Sequence, residues 1–262
     1  MARFRRPDEI DAFRAALCSA AERLFATRGY DGVTMRTLAA ELGCSPMTPY
    51  RYFANKEAIF DAVRLAAFDR FGARIERAAA IPAEPADRLD HLARAFVAFA
   101  RSEPSAYRIM FEVARPAALG AEMGDDPARR AVLLRGWLPL VANLACLAER
   151  GEVEGDPLVL AHLAFASLHG LVMLDLSGKY VLGLEIDDVI EPMIARLRRG
   201  FGVPVAMAPV GEPHGAATKK KAAGRAARGA SPRRTARTAR GAAVGGPKDA
   251  TVGRGRRKRA GR

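Results

Sequence analysis

The sequence predicts an all-α protein whose folded part is followed by a disordered, basic C-terminal tail. Apolar residues recur at helical spacing through residues 10–200, and no stretch of useful length alternates as a β-strand does. Clusters of Gly and Pro separate the periodic segments. From about residue 203 the chain is mostly Pro, Gly, Ala, Lys and Arg, which leaves almost nothing to bury. We therefore expect a head in 1–60, a body in 61–202 and a tail in 203–262.

The first two predicted helices have clear start and stop signals. In the first, the apolar residues at helical spacing are Ile10, Phe13, Leu17, Ala21 and Leu24. Gly29 is expected to end this helix, because glycine adopts the left-handed conformation at a C-terminus without strain. Thr34 is the predicted N-cap of a second, short helix that ends at Gly43.

A proline-rich segment, SPMTPYRYFANK, then occupies residues 45–56. Ser45 is predicted to cap a third helix with Pro46 at its first position, where the missing N–H costs nothing. Pro49 would fall at the fourth position and remove one backbone hydrogen bond, which predicts a tight or 3₁₀-like first turn. Asn55 is expected to cap a fourth helix. Short helices joined by brief turns thus make a compact head.

The body is predicted to contain only helices, separated by Pro and Gly clusters. Their expected ranges are about 86–102, 104–112, 127–150, 157–176 and 187–200. Residues 157–174 are barely long enough to span a membrane, and they contain His162, Ser167 and His169 between flanking aspartates. We expect a buried core or interface helix there, and no membrane partner.

The net charge of +13 is concentrated at one end of the chain. Residues 211–262 hold 16 of the 42 Lys and Arg residues but only two of the 29 acidic ones. The remainder carries 26 basic and 27 acidic residues, so it is close to neutral. A polycation of this kind is expected to add sequence-independent DNA affinity by releasing counterions. The alternative is a disordered extension without a role.

Cysteine and histidine usage favours a cytoplasmic protein without metal or cofactor. The three cysteines are far apart and lack a CxxC spacing, which indicates reduced thiols rather than a disulfide framework or a zinc site. No apolar run opens the chain as a signal peptide would. His162 and His169 are seven residues apart without convincing carboxylate partners, so a core or pocket position is favoured over a metal site.

The end of the second predicted helix and the start of the third have the spacing of a helix-turn-helix. One helix ends at Gly43, a short turn passes through Cys44, and the next helix begins at Ser45. The second helix of such a motif presents its N-terminal residues to the major groove. Lys56, at the start of the following helix, adds a positive charge to free N–H groups that attract phosphate. Side chains with polar tips that can reach phosphate or base are Thr48, Tyr50 and Tyr52.

Many residues of the head also match a known pattern at fixed spacing. They are Leu24, Phe25, Gly29, Tyr30, Thr34, Leu38, Ala39, Leu42, Gly43, Ser45, Tyr50, Phe53, Asn55, Lys56 and Glu57. With them, residues 10–60 resemble the N-terminal DNA-binding domain of TetR/AcrR-family transcriptional regulators. The segment LHGLVML, residues 168–174, is similar to a His-Gly signature of one ligand-domain subgroup. Pro49 departs from the pattern, because the family usually has Leu or another apolar residue there.

The resemblance implies a role for each matching residue of the helix-turn-helix. Thr34 and Arg36 would contact phosphates, and Tyr52 and Lys56 would hold the DNA backbone. The residues expected at the major groove are Pro46, Met47, Thr48 and Tyr50, and Ser45 is a further DNA-binding candidate. Met47 could contact a thymine methyl group. The alternatives are a solvated surface position for Arg36 and core positions for the tyrosines and Phe53.

The resemblance also implies a ligand-responsive repressor that binds a pseudo-palindromic site as a homodimer, with a small-molecule effector in the body. An apolar or aromatic ligand is the default for such a domain. The candidate pocket residues are Phe96, Phe99, Tyr107, Met110, Phe111, Trp137 and His169. Dimerisation is expected through 157–176 and 187–200, whose apolar faces are too extensive for a monomer surface. The candidate interface residues are Leu163, Phe165, Leu171, Val189, Met193 and Leu197.

Two other classes of protein compete with this interpretation. A nucleoid-associated protein would depend mainly on its basic tail for DNA binding. An enzyme would need a catalytic pair such as His169 and Asp175, but residues six apart on one helix do not face each other. The sequence also lacks a nucleophile elbow, a phosphate loop or a metal-spaced cluster. We therefore expect no catalytic residues.

Overall fold

The computed structural model describes residues 7–113 and 126–202. These ranges contain helices and turns only, so the predicted all-α class is confirmed for them. The helices are α1 (Pro7–Arg28), α2 (Met35–Glu41), a 3₁₀ helix (Pro49–Arg51), α3 (Lys56–Ala79), α4 (Pro85–Ser102), α5 (Pro104–Phe111), α6 (Pro127–Leu134), α7 (Leu138–Glu149), α8 (Pro157–Leu176) and α9 (Ile186–Gly200). They belong to one unit, Met1–Ala208. The predicted tail lies outside the described residues.

The start and stop signals of the head act as the sequence predicts. Gly29 and Gly43 have positive φ angles of 70° and 61°, which glycine adopts without steric cost. The side chain of Thr34 accepts a hydrogen bond from the Thr37 N–H, and the Thr37 hydroxyl accepts one from the Thr34 N–H. Asn55 caps α3 by accepting a hydrogen bond from the Ala58 N–H at 2.8 Å.

The predicted third helix is much shorter than expected. No α-helix begins at Ser45, and only the 3₁₀ helix Pro49–Arg51 forms. In an α-helix the carbonyl of Ser45 would accept the N–H of residue 49, but proline has none. That carbonyl instead accepts the N–H of Thr48 at 2.8 Å, a bond of 3₁₀ spacing. The 3₁₀-like turn is confirmed, and the α-helix from Ser45 is wrong.

The long helix α3 belongs to both the head and the body. Its first two turns contribute Ile59, Phe60 and Val63 to the core of the head, and Ile109 of α5 completes that core. Farther along, α3 packs on α4 and contributes to the core of the body. The boundary expected at residue 60 therefore falls inside a continuous helix, and that division of the chain stays a prediction.

The expected single helix over 127–150 is two helices. Helices α6 and α7 are bent by 63° at residues 135–137. Gly136 has a low helix propensity, and Pro139 cannot donate a hydrogen bond to the carbonyl of residue 135. Arg135, at the bend, donates hydrogen bonds to Asp69 and Glu76 of α3. The bend thus fixes this part of the chain against α3.

We predict that Gly136→Ala destabilises the fold. A Cβ at residue 136 would lie 2.4 Å from Cε1 of Phe71, whose ring is held by three neighbouring aromatic rings. Such overpacking costs about 1–3 kcal/mol in the free energy of unfolding, measurable by denaturant titration. Gly200→Ala is the matched control, because its Cβ would meet nothing within 4 Å. Equal stability of the two variants would contradict this packing.

The helix α8 is apolar on all sides. By length and composition it is the helix of the described residues that could cross a membrane, although a core helix passes the same test. One face contributes Leu168, Leu171 and Val172 to the body core. A third of its most apolar window is buried in the subunit, which leaves a second apolar face exposed.

Candidate nucleic-acid interface and apolar cavity

The turn before the 3₁₀ helix presents side chains to solvent at the tip of the head. Met47 is 67% exposed and Tyr50 is 47% exposed, whereas Pro49 between them is buried. Ser45 and Pro46 are exposed and Thr48 is half-buried. Pro49 is buried between exposed Met47 and Tyr50, so it holds this segment against the head while its neighbours face solvent. Their contacts with DNA stay predictions.

Two of the predicted backbone-holding residues have a structural contact inside the head. The ammonium group of Lys56 donates a hydrogen bond to the carbonyl of Tyr30 at 3.0 Å and lies 4.0 Å from the centre of its ring. Tyr52 stacks on Phe13 with ring centres 4.6 Å apart. Lys56 has two further donor hydrogens, so its contact with Tyr30 leaves it able to bind a phosphate.

The remaining predicted DNA contacts are exposed on and around α2. Thr34 and Arg36 are both solvent-exposed at the start of that helix. Arg51, which the sequence analysis did not single out, is exposed in the 3₁₀ helix beside Tyr50. Its position in the sequence, next to Tyr50, was the signal that could have identified it as a DNA-binding candidate. Arg51 adds a positive charge to the surface that carries Met47 and Tyr50.

The body contains a partly open apolar cavity of about 60 Å³, lined by residues of α3, α4, α5, α7, α8 and α9 and of the bend between α6 and α7. Its lining residues are Phe71, Ile75, Leu89, Leu92, Ala93, Phe96, Phe111, Gly136, Trp137, Leu140, Ala164, Phe165, Leu168, Ile194, Leu197, Arg198 and Phe201. Of the predicted pocket residues, Phe96, Phe111 and Trp137 line it. Phe99 and Met110 do not, because they are buried in the core behind it.

The other two predicted pocket residues form a polar pair next to the cavity. The Tyr107 hydroxyl lies 2.6 Å from Nδ1 of His169. Burial raises the pKa of the Tyr107 hydroxyl and lowers the pKa of His169, although the carboxylate of Glu112 opposes the second effect. Both groups are therefore neutral near pH 7. With the imidazole proton on Nε2 the Tyr107 hydroxyl donates this hydrogen bond to Nδ1, and with the proton on Nδ1 it accepts the bond.

The lowered pKa of His169 predicts a loss of stability in mild acid. Between pH 7 and 5 the unfolded imidazole takes up a proton more readily than the folded one, so the free energy of unfolding falls as pH falls. We expect the melting temperature of His169→Gln to depend less on pH over this range. His162→Gln, at an exposed position of the same helix, is the control. Parallel pH curves for wild type and His169→Gln would refute the assignment.

The predicted dimer residues lie in three environments: buried in their own subunit, half-buried at its surface, and exposed. Leu171, Phe165 and Leu197 pack inside their own subunit, the last two in the cavity wall. Val189 and Met193 are half-buried against the body core. Leu163 is 52% exposed. It belongs to an exposed stripe on α8, the α8 stripe, formed by Val159, Leu163, Ala166, Gly170 and Leu174. A dimer surface on α8 must use this stripe.

Comparison with known families decides the class of protein. The family model described as "Bacterial regulatory proteins, tetR family" matches residues 17–63, which span the helix-turn-helix. A second, described as "Tetracyclin repressor-like, C-terminal domain", matches 89–197 in the helical body. The chain belongs to the TetR family. TetR-family proteins are DNA-binding transcriptional regulators and not enzymes, so the predicted class and the non-enzymatic interpretation are confirmed.

Relatives match this TetR-family chain in sequence or in fold over most of its helical part. An HTH-type transcriptional regulator of Mycobacterium tuberculosis is 28% identical over 174 residues, 66% of this chain and 74% of the relative. Bacillus subtilis FadR, solved with stearoyl-CoA, has a TM-score of 0.55 at 18% identity and covers 69% of this chain and 95% of its own. AibR, solved with isovaleryl coenzyme A and operator DNA, has a TM-score of 0.56 at 21% identity. The match covers 72% of this chain and 98% of AibR. The two structures share the fold.

Proposed function

We propose that this TetR-family regulator is a homodimeric repressor that an acyl-coenzyme A effector releases from a pseudo-palindromic operator. The single observation that carries the proposal is an apolar cavity whose wall includes residues of α3, the helix that begins in the DNA-binding head. We place its action in the cytoplasm, at the nucleoid. Residues 1–60 would bind DNA, 61–202 would bind effector and partner subunit, and 203–262 would add general affinity.

The DNA contacts proposed for the head follow the exposed surface around the 3₁₀ helix. Ser45, Pro46, Met47, Thr48 and Tyr50 would face the major groove. Hydroxyl and apolar groups at these positions suit hydrogen bonds to base edges and contact with thymine methyl groups. The residues on either side of this surface would contact phosphates; they are Thr34, Arg36, Tyr52 and Lys56.

The α8 stripe supports a homodimer. It runs along one side of the helix at spacings of three and four residues and leaves large apolar side chains exposed, among them Val159 and Leu163. A contiguous apolar patch of this kind indicates a protein–protein interface. A second copy of the same stripe is the self-complementary occupant that a two-fold dimer requires.

The effector class rests on the cavity and on the related structures. Nearly all lining residues are apolar, which suits an acyl group better than a charged metabolite. FadR and AibR, which share the fold, were solved with acyl-coenzyme A molecules. We extend this ligand class to the present chain as part of the proposal.

Helix α3 provides the connection between cavity and head. Lys56 at its start belongs to the DNA-binding surface, and Phe71 and Ile75 belong to the cavity wall. About 22 Å of continuous helix separates residues 56 and 71. Arg70 of α3 is also paired with Glu22 of α1, at 2.9 Å. An effector that displaces Phe71 would therefore turn the helix that carries the head. Release requires tighter effector binding to the displaced state than to the DNA-bound state.

The tail should contribute affinity rather than sequence preference. Removing residues 211–262 eliminates 16 positive charges, so the dependence of log K on log salt becomes shallower. We expect affinity for a scrambled duplex to fall at least tenfold at low salt in a 1–210 variant. Fluorescence anisotropy at several salt concentrations measures both quantities. An unchanged slope would show that the tail does not contact DNA.

Effector-dependent release tests the proposed function as a whole. Full-length protein would be bound to a labelled duplex from the region upstream of its own gene and then titrated with acyl-coenzyme A molecules. A fall in anisotropy that requires the acyl group, and that coenzyme A alone does not produce, is the expected result. Stable DNA complexes at saturating concentrations of every acyl-coenzyme A would reject the effector class.

A further inference from the structure

We propose that the cavity accepts a short acyl group of about four to six carbon atoms and excludes long fatty acyl chains. This inference rests on the proposed acyl-coenzyme A effector and adds its chain length. The open space of the cavity is about 60 Å³. On this measure each water-sized group needs about 10–15 Å³, which leaves room for about four to six such groups. Methyl and methylene groups are somewhat larger than a water-sized group, so about six carbons is the upper limit for this space.

Four aromatic rings of the cavity wall form a cluster. Phe165 lies 5.9 Å from Phe96 and 5.3 Å from Phe111 between ring centres, and Phe71 lies 5.7 Å from Phe96. The rings meet edge-to-face or tilted, and Tyr107 and other core residues lie behind them. An acyl chain that reaches this part of the wall would stop at these rings.

The part of the lining formed by described residues contains one charged residue. Arg198 lines the cavity and pairs with Asp87 at 3.2 Å and Asp90 at 3.1 Å, both on α4. Leu89, also in the lining, lies between these two aspartates in sequence and seven residues before Phe96. Seven residues of α-helix rise about 10 Å, so the part of α4 that lines the cavity between Leu89 and Phe96 is short.

This polarity orients the ligand. The apolar end of the acyl group lies against the rings, and the polar thioester end lies towards Arg198, because Arg198 is the charged residue of the lining. A branched or cyclic acyl group fills a short space better than a linear chain of the same number of carbons. A long chain requires the rings to part.

A chain-length series on the full-length protein tests the inference. Calorimetric titration would compare acetyl-, isovaleryl-, octanoyl- and stearoyl-coenzyme A. We expect affinity to rise about fourfold per carbon up to about five carbons and then to fall at least tenfold for octanoyl and stearoyl. Tighter binding of stearoyl than of isovaleryl would overturn the chain length but leave the effector class standing. Failure of the whole series to bind would overturn both.

Two variants test whether the cavity itself sets the length. Ala93→Leu adds three carbons to the cavity wall and should weaken isovaleryl binding at least tenfold. Leu168→Ala removes three carbons from the wall and should move the preferred chain towards octanoyl. Ala142→Leu, at an exposed position of α7, is the matched control and should leave the series unchanged. An unaltered series in both cavity variants would place the acyl group elsewhere.

Discussion

Replacing both Thr48 and Tyr50 with alanine is expected to abolish specific operator binding while leaving binding to unrelated DNA nearly intact. Tyr50 is 47% exposed in the 3₁₀ helix, and Thr48 lies directly before that helix. Neither side chain carries charge, so their loss should not alter the electrostatic attraction to phosphate. Each base contact contributes about 1–3 kcal/mol of discrimination, and a dimer loses each contact twice.

The expected result is a fall in operator affinity of at least about a hundredfold in an anisotropy titration. Thr27→Ala is the control for loss of an exposed hydroxyl elsewhere in the head, since the Thr27 side chain bonds to carbonyls of its own helix. Circular dichroism should show unchanged helix content in the double variant, because neither residue belongs to a core. Equal loss of specific and unspecific binding would contradict the separation of roles between head and tail.

The second large effect is expected at the α8 stripe. Replacing Val159 and Leu163 with aspartate places four carboxylates, two per subunit, in the proposed dimer interface. An uncompensated buried charge costs about 3–5 kcal/mol, so the dimer should dissociate at micromolar concentrations. Operator affinity should fall with it, because each head alone contacts a single half-site.

Sedimentation equilibrium measures this change directly. Leu182→Asp is the control, since Leu182 is 96% exposed and has a positive φ that aspartate tolerates better than leucine. We expect the control to sediment like wild type and the Val159→Asp, Leu163→Asp variant to sediment at half that mass. Retention of the dimer in this variant would show that the subunits associate through another surface.

Local signals made the head predictable from its sequence. Caps such as Thr34 and Asn55 act through hydrogen bonds to residues three positions away, and Gly29 and Gly43 act through their own backbone angles. These effects need no information about the rest of the fold. The 3₁₀ turn was predictable for the same reason, since it follows from the missing N–H of one proline.

The cavity and the dimer face were less predictable because they depend on tertiary packing. Phe96 and Phe99 lie three residues apart on α4, yet Phe96 lines the cavity and Phe99 is fully buried beside it. Helix α8 is apolar on every side, so periodicity does not distinguish exposed Leu163 from buried Leu171. Only the positions of neighbouring helices assign such residues to wall, core or surface.

The most direct test of the account is the sequence preference of the chain without its tail. A 1–210 variant and the full-length protein would each be titrated onto DNA from upstream of the gene and onto a scrambled duplex of the same length, at several salt concentrations. The account predicts that 1–210 still binds the upstream DNA at least a hundredfold more tightly than the scrambled duplex. Equal affinity for both duplexes, with binding lost when the tail is removed, would contradict it and favour a nucleoid-associated protein.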